Sequence, residues 1–329
     1  MSEGNGERVI ALDPVPRESL FLPPWMAGYG PPAPRSRIST LIAIVLFLLT
    51  IVSTLAVGSL FARDYEQGIA PFTNDFAPWH SFASTRVLLR GLPFSFTLMS
   101  ILLAHELGHY FACRYYGIAA SYPYFIPFPT IFGTMGAFIR IRSPILNRKA
   151  LFDVGIAGPV VGFIFALPAL ALAIVYSKIA PGADANADFL FGTPLLMKAL
   201  THLLRPGISP HALLLDPIGR AAWVGLFSTG LNLMPIGQLD GGHILYSISS
   251  DNHRRISLLS VLVLAVMGRF LWNGWYVWAV LALMIGFRHP ALLDRWEQTD
   301  AKRRAWALVA LAIFILCFMP VPLHERPAP

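Results

Sequence analysis

The sequence predicts an all-α polytopic membrane protein with about six to seven transmembrane helices, because it contains charge-free runs long enough to cross a bilayer. Residues 39–61 and 154–177 carry no charged side chain, and a crossing needs about 20 apolar residues rising about 1.5 Å each. Only 13% of the 329 residues are charged, against about a quarter in soluble domains. Lipid is therefore the predicted solvent for much of the chain.

The segment before the first span, residues 1–37, is polar and rich in Pro and Gly. It carries acidic residues and has no short apolar core beside a cleavage site, so it does not resemble a signal peptide. We predict a flexible polar tail, followed by an anchor span and loop over residues 38–90.

Further apolar runs follow the first span, separated by polar or proline-rich segments. Residues 178–215 contain four prolines and are predicted to be a polar loop. The C-terminal part, residues 251–329, is predicted to hold accessory spans and a tail. The predicted spans after the first are 92–113, 154–177, about 221–239, a hairpin of two shorter spans within 256–287 turning near Asn273 and Gly274, and a last short run at 305–319.

Residues 118–142 are too polar and too rich in proline for a span. The stretch AFIRIR, residues 137–142, alternates in part as an edge strand does, and Gly133 and Gly136 flank a predicted turn. Non-helical backbone at membrane depth is tolerated only against protein or a wet cavity. We predict a small membrane-associated β-hairpin beside a wet site, with an ordinary loop as the alternative.

Positive charge sets the predicted orientation. With the N-terminus in the cytoplasm, 16 of the 25 Lys and Arg residues lie on that side, as the positive-inside rule requires. The basic residues behind the net charge of +7 lie at the ends of apolar segments rather than on one soluble module. No nucleic-acid partner is therefore predicted. The predicted location is a bacterial inner membrane, with a plastid membrane as the alternative. The site described next is predicted to face the cytoplasm.

The stretch LLAHELGHYFAC, residues 102–113, places ionisable groups inside the second span. His105 and His109 are one helical turn apart on one face and can bind one Zn²⁺ ion. Glu106 is turned by roughly 100° and can reach a metal-bound water, as in H-E-x-x-H peptidases. Such groups are costly inside a span and indicate function. The alternative is a hydrogen-bonded histidine pair within the bundle.

A catalytic zinc usually has three protein ligands and one open position. Asp240, in NLMPIGQLDGGH, ends the fourth span on the same predicted side as the histidines and is our candidate for the third ligand. It could instead cap a helix beginning at Gly241. Asp216 is excluded because it lies at the outer end of that span. The rivals on the correct side are Asp153, His243, Asp251 and His253.

Three further features of the predicted spans have a structural interpretation. Cys113 follows His109 by four residues but is expected to be an apolar filler rather than a zinc ligand. Asn232, inside the fourth span, could bind a substrate backbone or satisfy the carbonyl freed by Pro235. The glycine series in the third span is expected to serve close helix packing; its members are Gly155, Gly158 and Gly162.

These motifs resemble those of the site-2 protease family of intramembrane zinc metalloproteases. HELGH in an apolar span, NLMPIGQLDGGH about 130 residues later and GIAGPVVG between them match that family's motifs. FRHPALLD, residues 287–294, further resembles a branch with bacterial and plastid members. The resemblance covers roughly residues 91–250, which would form a three-helix catalytic core.

The resemblance implies one Zn²⁺ per chain, bound by His105, His109 and Asp240. It implies Glu106 as the general base and Asn232 as a substrate-positioning residue. Many relatives carry a PDZ domain between the two motifs, but residues 178–215 are too few for one. An unwound transmembrane substrate could add as a strand to the 118–142 segment.

We therefore predict a zinc metalloendopeptidase that cuts peptide bonds in or near transmembrane segments of membrane protein substrates, within a lipid bilayer. The alternative is a non-enzymatic membrane protein, either a metal transporter or an inactive protease relative. A transporter would need a polar path across the whole bilayer, whereas the ionisable groups cluster on one side. An inactive relative would normally lack Glu106 or a ligand. Substrate identity and oligomeric state do not follow from the sequence.

Overall fold

Ten helices and six short strands make up the part of the chain that the computed structural model describes. The described residues are 37–71, 77–128, 131–145, 147–181, 189–286, 289, 292 and 299–325. They belong to one unit, Ser36–Pro329. The predicted N-terminal tail lies outside the described residues apart from Arg37, and the boundaries proposed near residues 91 and 251 stay predictions.

The helices follow the predicted order of apolar runs. Two of the described helices, α1 and α4, are long and apolar enough to cross a membrane, so the predicted count of six to seven transmembrane helices is not confirmed. The ten helices are α1 (Arg37–Gln67), α2 (Thr85–Leu89), α3 (Leu92–Tyr115), α4 (Arg148–Tyr176), α5 (Leu195–Leu204), α6 (Pro217–Asn232), α7 (Asp240–Ile248), α8 (Ser250–Phe270), α9 (Gly274–Ile285) and α10 (Ala301–Cys317).

Large apolar side chains cover much of the outward surface of the longer helices. Leu41, Leu48, Leu262 and Leu308 are each more than half exposed, an arrangement that costs little in lipid but is unusual over so wide an area of a soluble protein. This surface agrees with a membrane location for the helical unit.

The predicted fourth span is shorter than expected and is followed by a separate helix. α6 ends at Asn232 rather than near residue 239. Pro235 has no N–H to continue the ladder and disfavours helical backbone at the residue before it. Gly237 then turns the chain with a φ of 51°, and α7 begins at Asp240. The hairpin predicted within 256–287 is present as two helices, α8 and α9, which pack together. Its identification as two membrane spans stays a prediction.

The strand predicted over 137–142 is displaced toward the N-terminus. β1 (Tyr124–Pro127) pairs antiparallel with β2 (Thr134–Phe138), and an isolated bridge joins Ala120 to Ile141. A Cβ on Gly133 would lie 2.8 Å from the Thr54 Cα, so this glycine lets the turn pack against α1. The hairpin prediction is confirmed, with different strand limits.

The segment predicted as a polar loop, residues 178–215, contains regular structure. It holds α5 and three strands of two or three residues. β3 (Lys178–Ile179) pairs with β5 (Leu213–Leu214), and β4 (Phe189–Phe191) pairs with β6 (Leu323–Glu325). The prolines interrupt these elements without preventing them. Residues 182–188 of the segment are outside the described residues.

The central helices α3, α4, α6 and α7 contact one another and hold the polar groups discussed below. Gly108 of α3 faces the α4 backbone so closely that a Cβ there would lie 2.6 Å from the Ala157 carbonyl oxygen. Apolar residues of α3 and α6, including Leu98 and Trp223, form the neighbouring core. α1 packs against α3 and α6, and α10 packs against α4, α6 and α7.

α10 is fixed to α4 by a polar cluster at its first turn. The Arg303 Nε donates to Asp153 Oδ1 over 2.9 Å, and the guanidinium also contacts the Tyr116 hydroxyl and Asp300. Tyr116 donates to Asp153, and burial together with this bond raises the pKa of Tyr116. Asp300 caps α10 by accepting from the Arg303 N–H, and that bond lowers the pKa of Asp300.

Arg303→Ala is expected to lower the free energy of unfolding by about 1–3 kcal/mol, because several charge-assisted bonds are lost and Asp153 loses its cation. Thermal unfolding in detergent measures this. Arg304→Ala, at the exposed neighbouring position, is the control and should change little. Equal unfolding midpoints for Arg303→Ala and wild type would show that the cluster does not stabilise α10.

Candidate metal centre and active site

α3 presents the two histidines of HELGH toward the centre of the helix group. The exposed fractions of His105, Glu106 and His109 are 5%, 4% and 6%. The two imidazole rings lie edge to face with centroids 4.9 Å apart, as expected for positions one turn apart. Burial of three ionisable groups within the five residues 105–109 requires partners from other elements.

Asp240 supplies that partner from the start of α7. Its Oδ2 lies 3.2 Å from the His105 Nε2, and its Oδ1 lies 3.3 Å from the His109 Nε2. The two Nε2 atoms are 3.1 Å apart. Ligand atoms about 2.0–2.1 Å from one tetrahedral zinc ion lie about 3.3 Å from each other, so this donor set fits zinc. All three ligand atoms lie within 4.8 Å of one another.

The carboxylate of Asp240 is not a cap for its own helix. Leu239 is the N-cap residue of α7, with no side-chain capping bond, and Asp240 is the first helical residue. Gly241 and Gly242 let this turn pack against the chain that follows α6. A Cβ on Gly241 would lie 2.0 Å from the Leu233 carbonyl oxygen, and one on Gly242 would lie 2.4 Å from that of Gly237.

The orientation of His109 is fixed by the backbone of α4. Its Nδ1 lies 2.7 Å from the Val154 carbonyl oxygen. A carbonyl can only accept, so Nδ1 carries the proton and Nε2 presents its lone pair to the metal centre. This bond exists because α4 approaches α3 closely at this level.

The glycine series of α4 packs directly on the candidate ligands. A Cβ on Gly158 would lie 2.1 Å from the His109 Nε2, and one on Gly162 would lie 3.0 Å from the His105 Nδ1. A Cβ on Gly155 would lie 2.9 Å from that of His243 on α7. The packing interpretation of these glycines is confirmed, and the surfaces that they pack on include the histidines themselves.

None of the rival residues belongs to the group formed by His105, His109 and Asp240. Asp153 binds Arg303, and Asp216 caps α6 by accepting from the Gly219 N–H. His243 Nδ1 lies 2.8 Å from the Nε2 of His289, and His253 Nε2 lies 3.0 Å from the Gly237 carbonyl oxygen. Asp251 is exposed. Cys113 is fully buried in an apolar cluster, as expected for a filler.

Glu106 and Asn232 line one cavity of about 110 Å³ beside the histidines. The Asn232 Nδ2 lies 3.3 Å from the His105 Nε2, so the amide is at the centre rather than bonded to a carbonyl freed by Pro235. The backbone of Ile139, which follows β2, faces the Glu106 carboxylate. β2 therefore lies beside the site, as the sequence predicted.

Ser228 and Trp278 are among the residues of this cavity that were not predicted from the sequence. Ser228 lies one turn before Asn232 on the same face of α6, and Trp278 enters from α9. The four-residue spacing from Asn232 is a signal that could have identified Ser228. Trp278 has no such signal, because its position depends on how α9 packs.

Residues 93–271 match Peptidase family M50. This match covers more than half of the chain, which therefore belongs to that family, the site-2 protease family. His105, Glu106, His109 and Asp240 all lie within the matched residues.

The similar curated proteins are plant proteins. Probable zinc metalloprotease EGY1, chloroplastic, of Arabidopsis thaliana is 29% identical over 302 residues, which are 88% of this chain and 55% of that protein. Probable zinc metalloprotease EGY2, chloroplastic, of Arabidopsis thaliana is 30% identical over 251 residues, 74% of this chain and 44% of that protein. The chain spans about half the length of these relatives. Their names do not support the predicted bacterial inner membrane.

Gly158→Ala is expected to weaken zinc binding by roughly 10–100-fold, the loss seen when residues around metal ligands are changed, because the new Cβ occupies the position of the His109 ring. Competition with a zinc chelator measures the affinity. Gly230→Ala is the matched control, because its Cβ would meet atoms no closer than 3.4 Å. Wild-type zinc affinity in Gly158→Ala would show that His109 is not held there as a ligand.

Proposed function

We propose that the protein is a zinc metalloendopeptidase that hydrolyses peptide bonds in or near the transmembrane segments of membrane proteins. The observation that supports this most directly is the convergence of His105, His109 and Asp240 from two helices, with their ligand atoms within 4.8 Å. Glu106 lies next to His105 in sequence and lines the adjoining cavity. Such a constellation suits hydrolysis of an amide bond.

Each residue has a separate role in the proposed reaction. Zinc held by His105, His109 and Asp240 would supply a Lewis acid that activates water and polarises the scissile carbonyl. The Glu106 carboxylate accepts the proton of the attacking water and later delivers it to the leaving amine. The Asn232 amide donates a hydrogen bond to the substrate carbonyl and orients it during attack.

Access for the substrate is proposed along β2. Met135, Gly136 and Ala137 line the same cavity as Glu106, so an extended peptide beside β2 would pass the general base. Strand addition uses main-chain hydrogen bonds and does not depend on one sequence. It also exposes the peptide bond, which a helical substrate keeps inside its own backbone ladder. The proposed substrates are therefore membrane segments that unwind locally.

Glu106→Gln is expected to lower peptide cleavage by roughly 10²–10⁴-fold, the usual contribution of a general base, while leaving zinc bound. Release of a reporter from a single-span membrane protein, assayed beside zinc content, separates the two effects. Glu66→Gln, at an exposed position paired with Arg90, is the control. Undiminished zinc-dependent cleavage by Glu106→Gln would show that Glu106 is not the general base.

Asp240→Ala is expected to lose most of the bound zinc, because a ligand set of two histidines is incomplete. Wild type should contain about one zinc ion per chain, one being the number that a single three-ligand site holds. Elemental analysis of detergent-purified protein measures both. Asp251→Ala, at an exposed aspartate on α8, should match wild type. Wild type without zinc after mild purification would contradict the proposed function, and equal zinc in Asp240→Ala would remove that ligand.

A further inference from the structure

The cavity beside Glu106 is small for a site that must admit a peptide. It measures about 110 Å³, whereas a known apolar cavity that binds one benzene ring measures about 150 Å³. The same space borders His105, Glu106 and Asn232, so part of it is needed for the main chain at the scissile bond. What is left accommodates only a short side chain.

Besides α3 and the turn between α6 and α7, three elements contribute walls to this cavity. α9 contributes Trp278 and Ala282, α6 contributes Ser228, and β2 contributes Met135. The Trp278 ring packs edge to face on Phe227 of α6 with centroids 6.3 Å apart. Ala282 is 4% exposed. The indole is therefore held between α6 and the cavity and cannot withdraw without losing its own packing.

The lining is mixed in polarity. Leu102, Met234 and Leu239 make it mainly apolar, while Ser228 adds a hydroxyl one turn from Asn232. The Ser228 hydroxyl makes no hydrogen bond with any described residue. It is therefore available to a ligand in the cavity. An acidic side chain would lose its hydration here and would face the Glu106 carboxylate, which has the same sign of charge.

We infer that this cavity is a specificity subsite, closed at one end by Trp278, that accepts Gly, Ala or Ser beside the scissile bond and rejects larger side chains. This inference rests on the proposed function. It adds the class of peptide that the site cleaves: membrane segments that bring a small residue to the site. Trp278 sets the size limit as a specificity-determining residue and takes no part in bond cleavage.

The test uses the full chain, loaded with zinc, and a mixture of single-span peptides in detergent micelles with randomised central residues. Mass spectrometry of the products gives the residue on each side of every cleaved bond. For wild type, Gly, Ala and Ser should exceed Leu and Phe by about tenfold or more on one side, since misfit of even one methylene in a pocket costs about 10–200-fold. Trp278→Ala should extend cleavage to Leu and Phe at that position.

Two further variants make the test sharper. Ala282→Leu fills the cavity from the α9 side and should restrict the accepted residue to Gly. Trp306→Ala removes an exposed indole from α10, outside the cavity lining, and should leave the residue preference of wild type unchanged. Zinc content of each variant shows that the centre is still assembled, so altered preference is not mistaken for unfolding.

The outcomes distinguish this inference from the function on which it rests. Zinc-dependent cleavage by wild type with equal acceptance of large and small residues on both sides would overturn the subsite and leave the peptidase intact. Unchanged preference in both Trp278→Ala and Ala282→Leu, with zinc bound, would also overturn it. Absence of zinc-dependent cleavage of any peptide by wild type would remove the proposed function and the subsite together.

Discussion

The close approach of α3 and α4 is the contact on which the rest of the site depends. Gly108 lies against the Ala157 backbone, and Gly158 lies against the His109 ring. Only glycine permits both contacts, because a single Cβ at either place would overlap the opposing helix or ring. The approach brings the Val154 carbonyl within 2.7 Å of His109 Nδ1. Helix packing therefore sets both the position and the tautomer of one ligand.

The position of Asp240, the proposed third ligand, depends on a break in the chain rather than on a continuous helix. α6 ends at Asn232, and the turn through Pro235 and Gly237 reverses the chain before α7 begins. Asn232 and Asp240 thus reach the same centre from two helices, although eight residues separate them. Gly241 and Gly242 remove the side chains that would otherwise hold α7 away from Leu233 and Gly237.

Local pattern was sufficient to predict much of this arrangement. The spacing of His105 and His109 defines one helix face, and the shared depth of HELGH and LDG indicated Asp240. The sequence also predicted a hairpin beside the site. These predictions succeed because each signal is local in the sequence. The signals are the helical period, the turn residues and the free-energy cost of placing a charged group in lipid.

Other features depend on tertiary contacts and could not be predicted. The end of α6 was placed too late, since the apolar run continues past the proline that stops the helix. α5 was missed because its ten residues sit between prolines and polar loops. Trp278 gave no local signal, since its role depends on the packing of α9 against Phe227. The motifs identified the residues proposed to act in catalysis. The shape of the cavity could not be predicted, because it depends on how the helices pack.

The geometry also explains why a β-hairpin accompanies a helical metal centre. A peptide bond inside a helix has its carbonyl engaged four residues along and cannot be attacked from the side. Three of the residues that line the cavity with Glu106 belong to β2, an element that can exchange main-chain hydrogen bonds with an extended strand. Unwinding exposes polar backbone groups that are costly in lipid. In the proposed function, a strand edge next to the centre would offset that cost only where cleavage occurs. The contact that opens the substrate would then also place it against Glu106, the proposed general base.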